Sequence, residues 1–321
     1  MPYDIDLHVQ DVTTAVNSSG AAYSSIVASW RRCMFNYGLD PSESASRRTL
    51  SGTELREARE RLGSLLYTAE PTLNRLKAVL PGTGCCVLLA DHDGTSIHWS
   101  GRDSESDNAA RLGLAPGMDW SEKHEGTNGV GTCLVEKRAL TVHQKDHFLA
   151  RDIELTCSVA PIFDHEGQVI AALDIAYYGT GVAEALVGLL AFTVREAAKQ
   201  IEDANFSHCF SDCRIIVASD HTHTRAGLLA VDADDVVVGA TRMARSLMGI
   251  TDSALRKGIL AMDLRRDTAN LDDTLDRAEQ GVIRRALVRS GRNVSTAAKD
   301  LRISRATIKR KMQRHNMYRS D

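Results

Sequence analysis

The sequence is most informative at first in what it lacks. No apolar run among its 321 residues reaches the roughly 18–20 needed to cross a bilayer. The longest candidate, Val182 to Val194, is shorter and carries Glu184, so a buried amphipathic helix is expected and no membrane partner. The opening MPYDIDLHVQD is acidic and has neither the basic nor the apolar region of a signal peptide, which predicts a cytoplasmic protein. Aromatic residues are only 5% of the chain, so its cores must rest on Leu, Val, Ile and Ala. The seven cysteines are odd in number and scattered, the usage of reduced, buried thiols in a cytosolic protein. Catalytic signatures are missing as well. There is no Gly-x-Ser-x-Gly elbow, no His-Glu-x-x-His and no Rossmann glycine pattern between a strand and a helix, and no enzymatic activity is expected.

What is present is an ordinary globular balance, 43% hydrophobic and 25% charged, on a chain long enough for two or three domains. The net charge of −3 hides an asymmetry: from Arg292 to Asp321 there are nine Lys or Arg against two acids. A basic tail on an acidic body is the pattern of a nucleic-acid partner rather than of a uniformly acidic protein.

The pattern predicts a helix over Ala21–Tyr37, with Ile26, Trp30, Met34 and Tyr37 on one face, and a stop at Gly38 to Pro41. A second helix is expected after Thr53 as N-cap and runs to about Ala69, with another opening at Pro71. From Gly84 the character changes to short apolar runs: CCVLLAD and GTSIHWSG about an Asp-His-Asp-Gly turn, then ALTVH, and ELTCSVAPIFD and QVIAALDIAYY about a second such turn. At least five strands with helices before and between them imply an α+β domain on an antiparallel sheet. Val182 to Asn205 reads as one helix whose stripe of Leu186, Leu189, Leu190, Val194, Ala197 and Ile201 either packs on its own sheet or pairs with a second copy. RIIVAS and GLLAVDADDVVVGA suggest a smaller α+β unit ending in a helix over Thr241–Met248, and polar residues 251–270 read as a linker.

The C-terminus carries the sharpest signal. A helix over Leu271–Arg289 stops at Ser290-Gly291, a short one follows over Val294–Leu301, and Ser304 caps a third over Arg305–His315. Ala297 and Ala298 are small enough to let two helices cross closely, and Ile308 and Met312 face inward at i,i+4. Thr296, Ser304, Arg305, Thr307, Lys309, Arg310, Lys311 and Arg314 are then left to meet base edges and phosphates of double-stranded DNA. The segment LDRAEQGVIRRALVRSGRNVSTAAKDLRISRATIKRKMQRHNM resembles the Fis-type helix-turn-helix. The resemblance implies a homodimer formed partly by the long first helix, with the helix beginning near Ser304 in the major groove. Where that family's turn often has Gly, this chain has Arg302, which alters the turn or adds a phosphate contact.

Three further segments, SIVASWRRCMFNYGLDP, WSEKHEGTNGVGTCLVEKRALTVHQKDHF and TCSVAPIFDHEGQVIAALDIA, resemble regulators of the acetoin-catabolism activator type and their GAF domain, a small-molecule-sensing α+β fold. GLLAVDADDVVVGATRMARSLMGI resembles a shortened PAS-type module. The resemblance implies residues 1–50 as an N-terminal helical segment and 51–180 as the sensory domain. It further implies 181–205 as a connecting or dimerisation helix, 206–262 as a PAS-like unit, and 263–321 as linker and DNA-binding domain. Regulators of this type usually carry a sigma-54 ATPase between sensor and DNA-binding end. That module needs about 230 more residues and a loop ending in Gly-Lys-Ser/Thr. The nearest approach, Gly126 to Thr132, lacks the lysine and reads as a tight turn beside a pocket.

The candidate effector pocket comprises Trp99, Trp120, His124, Asn128, Cys133 and His143. Iron held by His124, His143 and His147 with Cys133 is weighed against plain pocket lining, and a zinc site at His208, Cys209, Cys213, His221 and His223 against incidental surface residues. In both cases the second reading is taken, with no metal and no cofactor: His143 and His147 lack the i,i+4 spacing of two ligands on one helix, and a single Cys-x3-Cys pair, though acceptably spaced, is a weak signal. Asp174, alone among apolar residues, either bonds a backbone turn or contacts ligand. The expectation is a ligand-responsive, dimeric DNA-binding regulator without ATPase activity, acting on a palindromic operator, with RNA polymerase a further candidate partner. Its alternatives are an adaptor of a full-length ATPase-bearing relative and a redox or metal-based sensor.

Overall fold

The computed structural model describes residues 5–44, 47–80, 82–101, 111–179, 182–219, 225–261, 264, 279–287, 290–291, 293–315 and 317. It divides into two compact units, Met1–Leu260 and Ala261–Asp321. The fold class is α+β, as the alternation of short strands and helices predicts.

The larger unit is organised by a five-stranded antiparallel sheet. Its strands are β1 (Cys85–Asp91), β2 (Ser96–Ser100), β3 (Leu140–His143), β4 (Leu155–Phe163) and β5 (Val169–Tyr178), in the order β2-β1-β5-β4-β3. Side chains alternate across a strand, and here both sides are covered. Cys85, Val87 and Leu89 of β1 join Leu173, Ile175, Ala160 and Ile162 in one core beneath α4 (Ser64–Val79) and α7 (Glu184–Cys209). Cys86, Leu88 and Ala90 join Cys157, Val159, Trp120, Val130 and Cys133 in a second core on the opposite side. That second core lies under α5 (Glu122–Glu125) and α6 (Gly129–Glu136). Double coverage is why all of β1 and β4 is buried, against the one-sided wetting common in antiparallel sheets.

Helices α1 (Ile5–Val16), α2 (Ser25–Phe35) and α3 (Gly52–Leu62) precede the sheet. Val12, Val16, Trp30 and Cys33 close a third core with Phe148 and Leu149, so this segment is packed onto the connection between β3 and β4 rather than detached. Three helix boundaries differ from the sequence pattern. Helix α2 begins later than Ala21 because Ser24 accepts a hydrogen bond from Val27 N at 3.3 Å, leaving residues 19–22 as a 3-10 turn. Ser51, not Thr53, caps α3, in a reciprocal box with Glu54. The break before α4 falls at Gly63, whose φ of 51° and ψ of −123° suit glycine and not L side chains, while Pro71 lies inside α4.

The stripe on α7 is spent on its own sheet: Leu190, Val194, Ala197 and Ile201 are buried against α4 and the strands, and Leu189 faces solvent. Beyond it, β6 (Arg214–Ser219), β7 (Ala226–Val231), β8 (Val236–Ala240) and β9 (Ile259–Leu260) make a second antiparallel sheet. It carries α8 (Arg242–Met248), capped by Thr241, and α9 (Asp252–Lys257), capped by Thr251. Residues 252–260, expected as linker, thus form a helix and an edge strand. Thr251 supplies a cap and Ile259 a ladder partner for Val237, which the polar composition concealed. The rest of that proposed linker beyond 264 lies outside the described residues.

The two sheets meet at Glu202 of α7, which accepts a hydrogen bond from Phe163 N at 2.9 Å. Arg242 lies over the Phe163 ring at 4.2 Å. Burial pushes the Glu202 carboxyl up to about 7, with Asp203 adding and Lys199 and Arg242 opposing. A raised carboxyl pKa gives stability that is complete below the unfolded value of about 4.3 and is lost as pH rises through the folded one. Glu202→Gln, which keeps the amide acceptor for Phe163, is therefore expected to be more stable than the parent at pH 8 and equal to it near pH 4, in urea unfolding at the two pH values.

Candidate nucleic-acid interface and effector pocket

In the smaller unit, residues 279–287 are helical and form α10. They are followed by α11 (Val294–Asp300) and α12 (Arg305–Arg314); the remainder of the expected Leu271–Arg289 helix lies outside the described residues. Ile283, Ala286, Ala297, Ala298, Ile308 and Met312 form the core. Asn293 caps α11 through Ser295 N and Thr296 N, and Ser304 caps α12 by accepting from Thr307 N at 3.0 Å. With Ile308 and Met312 inward, the 100° step of an α-helix turns Lys309, Arg310 and Arg314 to the exposed side, while Arg305, in line with the core stripe, is exposed because it opens the first turn. Gln313 shares that side, and its amide suits adenine edges; the sequence pattern alone did not single it out.

The other expected contacts are placed differently. Lys311 is ion-paired to Glu279 of α10, and His315 meets the same carboxylate at 2.9 Å, which holds the Glu279 carboxyl below the usual range. Lys311 therefore braces the helix pair on its flank. The Thr307 hydroxyl is 2.8 Å from Ser304 Oγ, so these two groups serve each other. Thr296 is exposed in the first turn of α11. Arg302 adopts φ of 53°, the left-handed region that favours glycine, which explains how this turn can be made where Gly is usual.

In the larger unit the glycine loop is a packing device. A Cβ on Gly129 would stand 2.5 Å from Cys157 Cβ and 2.6 Å from Val159, and one on Gly131 2.4 Å from Glu122 N. The loop backbone lies directly on the sheet. Asn128 caps α6 by accepting from Gly131 N at 2.8 Å, and donates to Trp120 O and Gly126 O; its amide is fully used in holding the loop. The acids beneath are met by arginines from the N-terminal segment. Arg32 reaches Glu122 at 2.5 and 3.0 Å and Glu136 at 3.2 Å. Arg47 reaches Glu125 and Asp152, with Arg151 also on Glu125 at 2.6 Å.

Of the remaining pocket residues, Trp120 is buried and donates to Gly113 O at 2.7 Å, with the Arg47 guanidinium 4.8 Å from its ring centre. His124 lies at the surface, 2.8 Å from Asp119 and 3.0 Å from Ser121. His143 pairs with Thr156 at 3.0 Å, a residue that alternates to the opposite face of β4 from Cys157. His147 is enclosed beside Phe148, and burial pushes it down to about 4. The three histidines do not converge, and no group of three or more His, Cys, Asp or Glu among the described residues is arranged to hold a metal. His221 and His223 lie outside the described residues. Cys85 and Cys86 point to opposite cores.

The structure does bring Trp99, Cys133 and Asp174 to one face. Asp174 is 2% exposed, and burial pushes its carboxyl up to about 8; the Cys157 thiol hydrogen-bonds to it. The signal in the sequence was a single acid in the otherwise apolar strand QVIAALDIAYY.

Comparison with known proteins accords with both halves. The GAF domain family matches residues 64–201 and the bacterial regulatory protein family of Fis type matches residues 274–315. The Acetoin catabolism regulatory protein of Cupriavidus necator is 39% identical over 240 residues, covering 73% of this chain and 36% of that one. The Acetoin dehydrogenase operon transcriptional activator AcoR of Bacillus subtilis is 24% identical over 201 residues, covering 63% and 33%. The chain thus spans about a third of the length of these curated relatives. A chain of the solved Escherichia coli DhaR(N)–DhaL complex superimposes with a TM-score of 0.51 at 15% identity, covering 79% of this chain and 86% of that one, a likeness of fold. The chain joins a GAF domain to a Fis-family helix-turn-helix, the architecture of a DNA-binding transcription regulator. Within that class it is related to the regulators of acetoin operons. No helix among the described residues is long and apolar enough to cross a membrane.

Two glycines test the packing argument. Gly129→Ala is expected to cost about 1–3 kcal/mol by overpacking against Cys157 and Val159. Gly188→Ala, on α7 with nothing within 4 Å of its added Cβ, should instead stabilise by about 0.5–1 kcal/mol, both read from denaturant midpoints.

Proposed function

We propose that the protein is an effector-responsive transcription regulator that binds operator DNA as a dimer through α12, and that a small organic molecule held on the α6 side of the GAF sheet sets its affinity. The observation that carries the reading is the one-sided recognition helix. Its apolar side is fixed by Ile308 and Met312 in the core, its start by the Ser304 cap with Arg305 exposed in the first turn, and its outer side by Lys309, Arg310 and Arg314. In this reading the N-terminal residues of α12 meet base edges and the later cations meet phosphates. Two such helices would address half-sites about one helical turn, ~34 Å, apart.

The sequence between the two matched domains holds no Gly-Lys-Ser/Thr phosphate loop. Regulation accordingly proceeds by occupancy of the operator or by direct contact with RNA polymerase, without ATP hydrolysis. In the cell such a protein works in the cytoplasm.

The test is binding to duplexes selected from a random pool. The parent protein should enrich a palindromic site, and Arg305→Ala with Arg310→Ala should weaken binding to it by about 100-fold or more, at 1–3 kcal/mol per base contact. Lys309→Ala should weaken specific and non-specific binding alike and lower the salt slope by about 1. Unchanged affinity in the double variant would remove α12 as the reading helix.

A further inference from the structure

Between the two sheets of the larger unit lies a cleft of about 450 Å³, within the range of small-molecule sites. It is bounded by the start of β3 and the second half of β4, by α7, and by the starts of β7 and α8. Ala160 and Ala198, which line it, belong to the core beneath α4 and α7. The cleft is therefore on the opposite side of the sensory sheet from α6 and its glycine loop.

Cations line it from every side: Arg138 before β3, Arg195 and Lys199 on α7, Arg225 before β7 and Arg242 on α8. Two of them have carboxylates nearby. Lys199 is ion-paired to Asp203, and Arg138 stands 3.9 Å from Glu136. Arg195 and Arg225 have no ion-pair or hydrogen-bond partner among the described residues. Arg242 lies over the Phe163 ring at 4.2 Å. Stacking uses the flat face of a guanidinium and leaves its N–H donors, which lie in its own plane, open. On the acidic side, Asp203 is taken by Lys199, while Glu202 accepts from Phe163 N and has its carboxyl pushed up to about 7 by burial. Glu196 is the lining acid left to answer three guanidinium groups, so two positive charges stay unmatched.

We propose that this cleft is a second ligand site, and that Arg195, Arg225 and Arg242 bind there a small organic anion carrying at least two negative charges. The fork of a guanidinium matches the paired oxygens of a phosphate or carboxylate, and the surplus of positive charge excludes amines. Pro161, Phe163 and Met243 give the cleft an apolar wall, which a carbon skeleton covers and a bare inorganic ion does not. Arg195 belongs to the helix that leaves the sensory sheet, and Arg225 and Arg242 belong to the second sheet and its helix. An anion held by all three ties the second sheet to α7.

The experiment titrates the full chain, at constant ionic strength, with phosphate monoesters and dicarboxylates of three to six carbons. Each is set beside its neutral parent alcohol or diamide, and inorganic phosphate is titrated alone. Binding is followed by calorimetry and by thermal shift. One or both classes of anion should bind and raise the melting temperature, and the class that binds identifies the headgroup. The neutral parents and inorganic phosphate should bind about ten times more weakly or worse, at the usual worth of a hydrogen bond to a charged group. Arg195→Gln and Arg225→Gln, both at exposed positions, should each weaken the organic anion by about ten-fold or more. Lys257→Gln removes the same charge at the end of α9 and should leave binding unchanged. The proposal is overturned if neither class binds, or if the neutral parents or inorganic phosphate bind as tightly. It is overturned equally if the two arginine variants bind as the parent does, or if Lys257→Gln weakens binding as much as they do. Small anions that fail to bind, with arginine variants that lose affinity for non-specific duplex DNA, would overturn it in favour of a contact to the nucleic-acid backbone. None of the substituted residues lies on the α6 side of the sensory sheet, so the result is independent of the effector reading.

Discussion

The constraint on which the larger unit depends is the approach of a bare backbone to a sheet. At Gly129 and Gly131 the loop lies so close to Cys157, Val159 and Glu122 that no side chain fits between, and this seats α6 flat on the strands. The seating has an electrostatic cost, since it buries Glu122 and Glu125 at 2% exposure each. Arg32 and Arg47, delivered from residues far upstream, meet that cost. The N-terminal helices are thus part of the sensory fold: without their guanidinium groups the acids under the loop would be buried charges without partners, which proteins tolerate poorly.

With the loop fixed, the sheet works as a partition. One side is given to α4 and α7 in a largely aliphatic core; the other is lined by thiols, alanines and two tryptophans and holds the enclosed Asp174 Oδ1 and Trp99 Nε1, which have no hydrogen-bond partner among the described residues. An orphan of this kind costs about 1–3 kcal/mol. In the smaller unit the same economy appears as a division of labour along α12: alternate positions hold the core, brace α10 through Glu279, or remain open.

Much of this was legible in the sequence wherever a single periodicity decides. The apolar run CCVLLAD with its Asp-His-Asp-Gly turn located β1, and Ile308 with Met312 at i,i+4 gave the inward side of α12. Legibility failed where two residues of similar propensity compete. Ser51 and Thr53 both suit a cap, and the reciprocal bonds with Glu54 settle it on Ser51; Gly63 and Pro71 both suit a break, and the positive φ falls at Gly63. It failed again where composition stood in for pairing, as at 252–260, where a polar stretch still closes a sheet. Asn128 and His143 were chosen for the pocket by chemical type. Yet an amide is equally suited to tying down a loop, and a one-residue offset on β3 sends a side chain to the wrong side. Asp174 was visible as an anomaly, but only the register with Leu88 and Trp99 gives it a direction.

Strand β5 begins at Val169, carries Asp174 at its middle and runs out at Tyr178, six residues before α7 starts. It is paired on both edges, to β1 along seven residues and to β4 along nine. A slip of one residue would turn Asp174 into the aliphatic core and Ile175 out of it, so translation along the strand axis is forbidden. Whatever is felt at the middle of β5 can reach α7 only as a change of twist or tilt. For an element locked between two neighbours, that is a choice between discrete settings, closer to a toggle than to a sliding scale.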